Sequence, residues 1–285
     1  MFQKDLFQGK RILVTGGGTG LGKSMTRRFL ELGAEVSIVG RRKAVLDETA
    51  EELMKETGGT VATYTLDIRS ADAIEEVISE VWSKGPLDAL VNNAAGNFVS
   101  RTEDLSPRGF DAVANIVFHG TFYITNAIAK RWIAEERRGS VLSIVATWVW
   151  TGSPFVTPSS MSKAGVAAMT KGLAVEWGPK GIRLNAIAPG PFPVEGSVAR
   201  GSWGTAGGTL ATDRIPARRN GQHAELANLA TFLLADGSDY VTGEVIAIDG
   251  GQWLNGAGTF ARYANLTDED WRLMRNQSWK GADKK

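Results

Sequence analysis

Short apolar runs recur along the chain at intervals of helical length. Seven of them are rich in aliphatic and β-branched residues and do not alternate with polar residues: RILVT, EVSIVG, TVATYTL, DALVN, SVLSIV, IRLNAIAP and EVIAID. A run that is apolar throughout is typical of a strand buried on both faces of a parallel sheet. Because segments of helical length separate the runs, the pattern predicts a single-domain α/β fold of the Rossmann type. It is a doubly wound parallel sheet of about seven strands with helices on both faces.

Two segments depart from this alternation. Residues 190–221 are rich in Gly, Pro, Ser and Thr and are too long for an ordinary connection, so a disordered segment is one interpretation. We favour a substrate lid, because the segment follows a predicted strand end, where ligands of such sheets bind. Residues 250–285 form a C-terminal extension of the same domain (1–285), and the sequence TDED predicts the capped start of a short helix there.

The composition excludes several classes of function. Lys and Arg total 32 against 31 Asp and Glu, so the net charge of +1 provides no general attraction for nucleic acid. The chain has no cysteine and only two histidines, His119 and His223, which argues against a dedicated metal site. The N-terminus has no long apolar core of a leader peptide, and no apolar segment is long enough to span a membrane. We therefore expect a cytoplasmic protein with no membrane span and no nucleic-acid partner.

The first predicted strand leads into a glycine-rich turn, an amphipathic helix and a second strand, in the segment RILVTGGGTGLGKSMTRRFLELGAEVSIVGRR. This is the order of a βαβ mononucleotide-binding unit. Gly16, Gly20 and Gly22 let the backbone turn tightly and approach a pyrophosphate at the N-terminus of the helix. The alternative, a glycine-rich turn without a ligand, leaves the spacing of these glycines unexplained. The segment therefore predicts dinucleotide binding.

The end of the second predicted strand indicates which dinucleotide binds. A carboxylate there would bind the ribose 2′-hydroxyl of NADH, but the sequence has Arg41 and Arg42. Arginine offers a planar fork of donors that suits a 2′-phosphate. We therefore predict NADPH/NADP+ as the cofactor. The alternative is that both arginines belong to a solvated surface.

Several motifs together resemble the short-chain dehydrogenase/reductase superfamily over essentially the whole chain. They are TGGGTGLG from Thr15, NNAAG from Asn92 and PG at residues 189–190, with Asp67 where the superfamily holds the adenine. Longer stretches, among them NNAAGNFVSRTEDLSP and TGSPFVTPSSMSKAGVAAM, are similar to the 2,4-dienoyl-CoA reductase branch. The resemblance implies a homotetramer. It also implies a cofactor site formed by Gly16, Gly18, Thr19, Gly20, Leu21, Arg41, Arg42, Asp67, Ile68, Asn93, Ala94, Lys163, Pro189, Gly190 and Phe192.

The segment before Lys163 is unusual for the superfamily as a whole. The resemblance implies a tyrosine four residues before this lysine, as the acid that protonates a reduced carbonyl, but this chain has Ser159. A serine hydroxyl has too high a pKa for that role at neutral pH, so carbonyl–alcohol chemistry is disfavoured. The four-residue spacing still places Ser159 and Lys163 on one face of a predicted helix.

The dienoyl-CoA reductases are similar in having this same serine and lysine. The resemblance implies that in this branch the lysine binds the nicotinamide ribose, while an asparagine and a tyrosine hold the thioester oxygen. Hydride enters the far end of the diene, and protonation of the dienolate leaves a 3-enoyl-CoA. The asparagine is present as Asn97, but the tyrosine position holds Trp148. The catalytic candidates are therefore Asn97, Ser159, Lys163 and Trp148.

The tryptophan leaves several interpretations open. An indole N–H donates a hydrogen bond but does not deliver its proton, so Trp148 is either a donor to the thioester oxygen or only a pocket wall or core filler. The proton comes through a water chain past Asn97, Ser159 or Thr147, or from Tyr123 on a neighbouring helix. We interpret His119, on a helix expected to begin after Gly109, as structural.

Four further residues match acyl-CoA contacts of the branch and are the candidates for substrate binding: Arg69, Phe98, Ser106 and Arg200. For the two arginines, a surface ion pair is the alternative. The first hypothesis is thus an NADPH-dependent reductase of unsaturated acyl-CoA thioesters, dienoyl before monoenoyl. The alternatives are a short-chain oxidoreductase that acts on a carbonyl, alcohol or enoyl-CoA, and a nucleotide-binding protein with impaired catalysis.

Overall fold

The computed structural model describes residues 1–194, 212–257 and 261–274. Within these residues, seven parallel strands form one sheet in the order β3-β2-β1-β4-β5-β6-β7. The strands are β1 (Arg11–Thr15), β2 (Glu35–Gly40), β3 (Thr60–Thr65), β4 (Ala89–Asn92), β5 (Gly139–Ile144), β6 (Ile182–Pro189) and β7 (Val245–Ile248). Each strand overlaps one of the seven apolar runs, so the predicted Rossmann-type, doubly wound fold is confirmed.

Helices cover both faces of the sheet. Their bounds are α1 (Gly20–Glu31), α2 (Lys43–Thr57), α3 (Ala71–Ser83), α4 (Pro107–Ala114), α5 (Thr121–Ala134), α6 (Trp148–Thr151), α7 (Thr157–Trp177), α8 (His223–Leu234) and α9 (Gln252–Ala257). On one face, α1, α2 and α8 pack around a first core that contains Phe29 and Leu226. On the opposite face, α3, α5 and α7 pack around a second core that contains Ile78 and Trp132.

Burial on both faces explains why the strands do not alternate. In β1, Ile12 and Val14 belong to the first core and Leu13 belongs to the second, and none of the three is more than 1% exposed. Successive side chains of a strand point to opposite faces, so both sets must be apolar here. Burying one such side chain contributes roughly 1.5–3 kcal/mol, which makes a continuous apolar run the stable choice for a central strand.

The helix that leads to His119 begins earlier than we expected. It does not begin after Gly109: α4 begins at Pro107, because the Ser106 hydroxyl accepts a hydrogen bond from the Gly109 N–H and caps the helix. Proline is favoured at the first position of a helix. His119 itself lies in a π-helical stretch, Asn115–Gly120, that joins α4 to α5.

Two predicted features are described only in part. Residues 195–211 of the expected lid at 190–221, among them Arg200, lie outside the described residues, so the lid stays a prediction. In the extension at 250–285, α9 is followed by a 3₁₀ turn (Ala261–Asn265). A capped helix start then follows, where Thr267 and Asp270 each accept a hydrogen bond from the other's backbone N–H, as TDED predicts. Of the helices in the described ranges, none is both long and apolar enough to cross a bilayer.

Candidate active site

The carboxyl ends of β1 and β4 flank the point where the strand order reverses. Ligands of open α/β sheets bind in the crevice at such a switch point. A cavity of about 300 Å³ lies there. Nine of the predicted cofactor residues line it: Gly16, Gly18, Thr19, Arg41, Arg42, Asp67, Ile68, Asn93 and Ala94.

The glycine turn leaves no room for side chains. Gly16 has a φ of +65°, and a Cβ added at Gly22 would lie 2.3 Å from the Gly16 carbonyl oxygen. Thr19 is the N-cap residue of α1, directly after the turn, and its side chain makes no capping hydrogen bond. The first turn of α1 carries no acidic residue. The first N–H groups of α1 are therefore not taken by a cap, and the helix dipole favours an anion beside them. This arrangement fits the pyrophosphate of a dinucleotide.

The loop after β4 holds the glycine turn in place. The Thr15 hydroxyl oxygen accepts hydrogen bonds from the N–H groups of Asn93 and Ala94, both at 2.9 Å. The Asn93 amide donates to the carbonyl oxygens of Thr15 and Gly16, at 3.0 and 3.2 Å. Asn93 thus lines the cavity while its side chain positions the turn that faces the cofactor.

Charged groups cluster at the other end of the cavity. Arg41 and Arg42 are exposed, and neither forms an ion pair with a described residue. Arg69 binds Asp67, with 2.5 Å between Nη2 and Oδ2. This hydrogen bond is the main reason why the pKa of the Asp67 carboxyl lies below its ordinary value, and the charge of Arg41 lowers it further. Arg69 is thus paired with a carboxylate of the cavity wall but does not line the cavity itself, and its contact with an acyl-CoA stays a prediction.

Ser159 and Lys163 lie on one buried face of α7, as their spacing predicts. They are 2% and 8% exposed. The Lys163 ammonium donates a hydrogen bond to the carbonyl oxygen of Ile144, the last residue of β5. Burial lowers the pKa of Lys163 to about 8. The side chain is therefore still mostly an ammonium at neutral pH, but it loses its proton well before an exposed lysine does.

Trp148 opens α6, the single helical turn that follows β5. Its indole Nε1 is buried and has no hydrogen-bond partner among the described residues. A buried donor that stays unpaired costs about 1–3 kcal/mol. The N–H is thus free for an acceptor atom of a ligand. The second predicted donor, Asn97, is exposed at the end of the NNAAGN loop.

The predicted cofactor residues outside the cavity wall are Gly20, Leu21, Lys163, Pro189, Gly190 and Phe192. Gly190 follows β6 and approaches Asp249 so closely that an added Cβ would lie 2.6 Å from the Asp249 Cβ. Phe192 is only 9% exposed, and its side chain packs into the first core.

Two of the predicted substrate residues, Phe98 and Ser106, lie close together beside the first turn of α4. A Cβ at Gly109 would lie 3.4 Å from the Ser106 Oγ and 3.5 Å from the tip of the Phe98 ring. The Ser106 hydroxyl already caps α4, whereas the Phe98 ring is 43% exposed and offers apolar surface. Arg200 lies outside the described residues.

The alternative acid groups are engaged elsewhere. His119 is exposed, and its Nδ1 lies 3.0 Å from the Asn115 Oδ1. The ring of Tyr123 packs against the second core and lies 6.0 Å from the ring of His119, centroid to centroid. Both residues thus have structural contacts, and neither is shown to face the cavity.

Two contacts near the site were not foreseen. Trp150 of α6 stacks on Trp253 of α9, with 4.8 Å between ring centroids and 24° between ring planes. His223 links the Ser24 hydroxyl, 2.7 Å from Nδ1, to the Pro193 carbonyl oxygen, 2.9 Å from Nε2. The partners in each contact are distant in sequence, so no local spacing could have revealed them.

Known proteins resemble this chain in sequence and in fold. The family profile described as Enoyl-(Acyl carrier protein) reductase matches residues 16–252. A relative from Bacillus subtilis (strain 168), named as a probable 2,4-dienoyl-CoA reductase that produces (2E)-enoyl-CoA, is 43% identical over 248 residues, which cover 86% of this chain and 97% of the relative.

Solved structures show the same fold. A short chain dehydrogenase from Bacillus anthracis is 42% identical, with a TM-score of 0.75 over 85% of this chain and 96% of that one. A putative 2-deoxy-D-gluconate 3-dehydrogenase from Agrobacterium tumefaciens, solved with bound NADP, is 32% identical, with a TM-score of 0.80 over 88% of this chain and 100% of that one.

Proposed function

Because the chain belongs to the short-chain dehydrogenase/reductase family, and within it to the branch that resembles 2,4-dienoyl-CoA reductases, we propose that it is an NADPH-dependent reductase of 2,4-dienoyl-CoA thioesters. The observation that carries the proposal is the buried indole N–H of Trp148, at the start of α6, which has no hydrogen-bond partner among the residues that the structure describes. A donor without an acceptor suits a reaction that places negative charge on a substrate oxygen.

The crevice between β1 and β4 is proposed to bind NADPH. When bound, NADPH supplies the hydride. The glycine turn and the N-terminus of α1 bind the pyrophosphate, and Arg41 and Arg42 bind the 2′-phosphate. Asp67 holds the adenine, and the Lys163 ammonium binds the nicotinamide ribose. The NADP-bound relative among the solved structures supports this assignment.

The residues around the substrate stabilise charge on the thioester oxygen. Hydride enters at C5, the end of the diene far from the thioester, and the electron pairs move toward the carbonyl to give a dienolate. We assign the Asn97 amide and the Trp148 indole as the two hydrogen-bond donors to that oxygen. Such preorganised donors often supply the largest single contribution to catalysis.

One proton then completes the reaction. Protonation at C2 gives a 3-enoyl-CoA, and protonation at C4 gives a 2-enoyl-CoA. The indole of Trp148 cannot deliver this proton, so we assign it to water held by Asn97, Ser159 or the Thr147 hydroxyl. The resemblance implies a 3-enoyl product, whereas the Bacillus subtilis relative is named for a (2E)-enoyl product. The position of the double bond in the product therefore reports where the water lies.

The test compares the wild type with Trp148→Tyr and Trp148→Phe on 2,4-dienoyl-, 2-enoyl- and 3-ketoacyl-CoA, with NADPH and NADH. We expect the wild type to oxidise NADPH with the dienoyl thioester, to use NADH far less well and to act little on the ketoacyl thioester. Tyrosine restores an acid and should raise the dienoyl rate. Phenylalanine removes the donor and should lower it by about 10²-fold, the usual cost of one lost oxyanion donor.

Trp150→Phe is the matched control. It makes the same substitution in the same helical turn, but Trp150 is 39% exposed and stacks on Trp253, so the dienoyl rate should stay close to that of the wild type. The proposal is wrong if the ketoacyl thioester is the better substrate. NADPH binding without turnover of any thioester would instead indicate a nucleotide-binding protein with impaired catalysis.

A further inference from the structure

Phe155 has an unusual backbone conformation. It lies between α6 and α7 with a φ of +65°. Among the described residues, three that are not glycine have a positive φ, and Phe155 is the apolar one; the others are Glu136 at +52° and Arg218 at +56°. A bulky side chain is strained in this left-handed region, and such strain concentrates at functional sites.

The other two positions have local explanations. Glu136 follows α5 and completes a helix-ending motif, in which its N–H donates to the Ile133 carbonyl and the next N–H, of Arg137, donates to the Trp132 carbonyl. Arg218 closes a turn through its N–H, which donates to the Ile215 carbonyl at 2.8 Å. Phe155 ends no helix of comparable length.

The conformation of Phe155 joins two parts of the active site. Its carbonyl oxygen accepts a hydrogen bond from the Ser100 N–H at 2.9 Å. Two residues further along each segment, the hydroxyl oxygens of Thr102 and Thr157 lie 2.9 Å apart. The loop that carries Asn97 is thereby fastened to the start of α7, which carries Ser159. Through these contacts the Phe155 backbone is bound to the loop that carries Asn97, one of the two residues proposed to bind the substrate oxygen.

The described residues leave more than half of the Phe155 side chain uncovered. The Phe155 side chain is 53% exposed, and no stacking contact of its ring is found within the described residues. Its neighbours across the Ser100 hydrogen bond are also exposed and apolar: Phe98 is 43% exposed and Val99 is 62% exposed. These three exposed apolar side chains, which we term the 98–99–155 surface, belong to two segments that the Ser100 hydrogen bond holds together.

We propose that Phe155 is a specificity-determining residue, whose ring covers the hydrocarbon chain of the acyl substrate. This inference rests on the proposed function, because it takes the substrate to be an acyl thioester. A hydrocarbon chain has no polar group, so it is recognised by the apolar area that it removes from water. Each methylene covered in this way strengthens binding roughly fourfold. The 98–99–155 surface then determines which chain lengths bind well.

The test measures equilibrium binding of saturated hexanoyl-CoA and decanoyl-CoA to the NADP+-loaded protein by isothermal titration calorimetry. We expect Phe155→Gly to weaken decanoyl-CoA binding about tenfold and hexanoyl-CoA binding less than twofold. Phe155→Tyr keeps the ring and should bind both like the wild type. Because glycine adopts a positive φ without strain, Phe155→Gly should also raise Tm, by about 2 °C.

Glu136→Gly is the matched control. It relieves the same kind of strain at an exposed position and should also raise Tm, but it should leave the affinity for both thioesters unchanged. An equal loss for both chain lengths in Phe155→Gly, or no loss for either, would overturn the proposal. Saturated thioesters need no turnover, so this result is independent of whether the protein reduces a dienoyl-CoA.

Discussion

Burial gives Lys163 an acid–base behaviour unlike that of a surface lysine. Its ammonium sits in the interior and donates to the Ile144 carbonyl, and desolvation of the charged form lowers its pKa to about 8. The protonated side chain therefore predominates below pH 8, and the neutral amine predominates above it. If the ammonium is the form that binds the nicotinamide ribose, cofactor use must weaken as the pH rises through this value.

This titration should appear in the pH dependence of kcat/KM for NADPH, which reports ionisations of the enzyme form that NADPH binds. We expect kcat/KM to fall about tenfold per pH unit above an apparent pKa of about 8. The measurement is a rate profile between about pH 6 and pH 10, at a fixed saturating concentration of the thioester. In Lys163→Arg the group stays charged over this range, so the decrease should be absent even if the absolute rate is lower. An unchanged decrease in that variant would assign the titration to another group.

For single residues, spacing in the sequence predicts some features of the candidate active site, and tertiary contacts determine the others. The four-residue interval between Ser159 and Lys163 correctly predicted one shared, buried helix face. By contrast, the unpaired N–H of Trp148 depends on what surrounds the indole, and the φ of Phe155 depends on the Ser100 hydrogen bond. Neither property is encoded in a local pattern.

At the scale of elements, a pair of tryptophans connects the catalytic segment to the C-terminal extension. Trp150 of α6 stacks on Trp253 of α9, and the Asp249 carboxylate accepts hydrogen bonds from the N–H groups of Gly251 and Trp253 at the start of α9. A helix as short as α9 is not stable on its own. Its position must therefore come from contacts of this kind.

We expect a double-mutant cycle of Trp150→Leu and Trp253→Leu to give a coupling free energy of about 0.5–1.5 kcal/mol, the usual value for an aromatic pair. The measurement is urea-induced unfolding of the two single variants and the double variant. A second cycle of Trp253→Leu with Trp82→Leu is the control. The Trp82 indole donates a hydrogen bond to Glu135, so the changes in unfolding free energy of these two single variants should add. Additive effects in the first cycle would show that the stack does not hold α9 in place.

Element boundaries were less predictable than element types. All seven strands follow from the apolar runs, because a strand buried on both faces needs a continuous apolar sequence. The predicted start of α4, after Gly109, was wrong by more than two residues. The Ser106 cap and the Pro107 ring determine that the helix begins at Pro107. A side-chain cap is a local feature, so SPRG could have revealed this start.

For the whole molecule, the sequence predicted where the crevice lies because topology determines its place. Once the strands are parallel and the order reverses between β1 and β4, the crevice must form at their carboxyl ends. The glycine turn, the NNAAG loop and the Arg41–Arg42 pair meet there for that reason. Assembly does not follow from topology in this way, and the homotetramer stays a prediction.

One exposed surface of the structure bears on that prediction. Small and apolar residues at helical spacing form a stripe along α7: Met161, Ala164, Ala168, Gly172 and Val175. All five are exposed in the single chain, Val175 by 80%. The sequence AGVAAM in this helix is compatible with either internal packing or a subunit contact. The exposure of the stripe favours a subunit contact, because small residues let two helices approach closely.

We therefore expect the wild type to be a tetramer by light scattering at micromolar concentration, and Ala168→Arg to dissociate it. An arginine at the centre of a closely packed helix pair would bury an unpaired charge, at a cost of several kcal/mol, which is enough to separate subunits. Ala71→Arg makes the same change at an exposed position on α3, away from the stripe, and should stay a tetramer. A monomeric wild type would refute the assembly itself, whereas a tetrameric Ala168→Arg would place the subunit contact on another face.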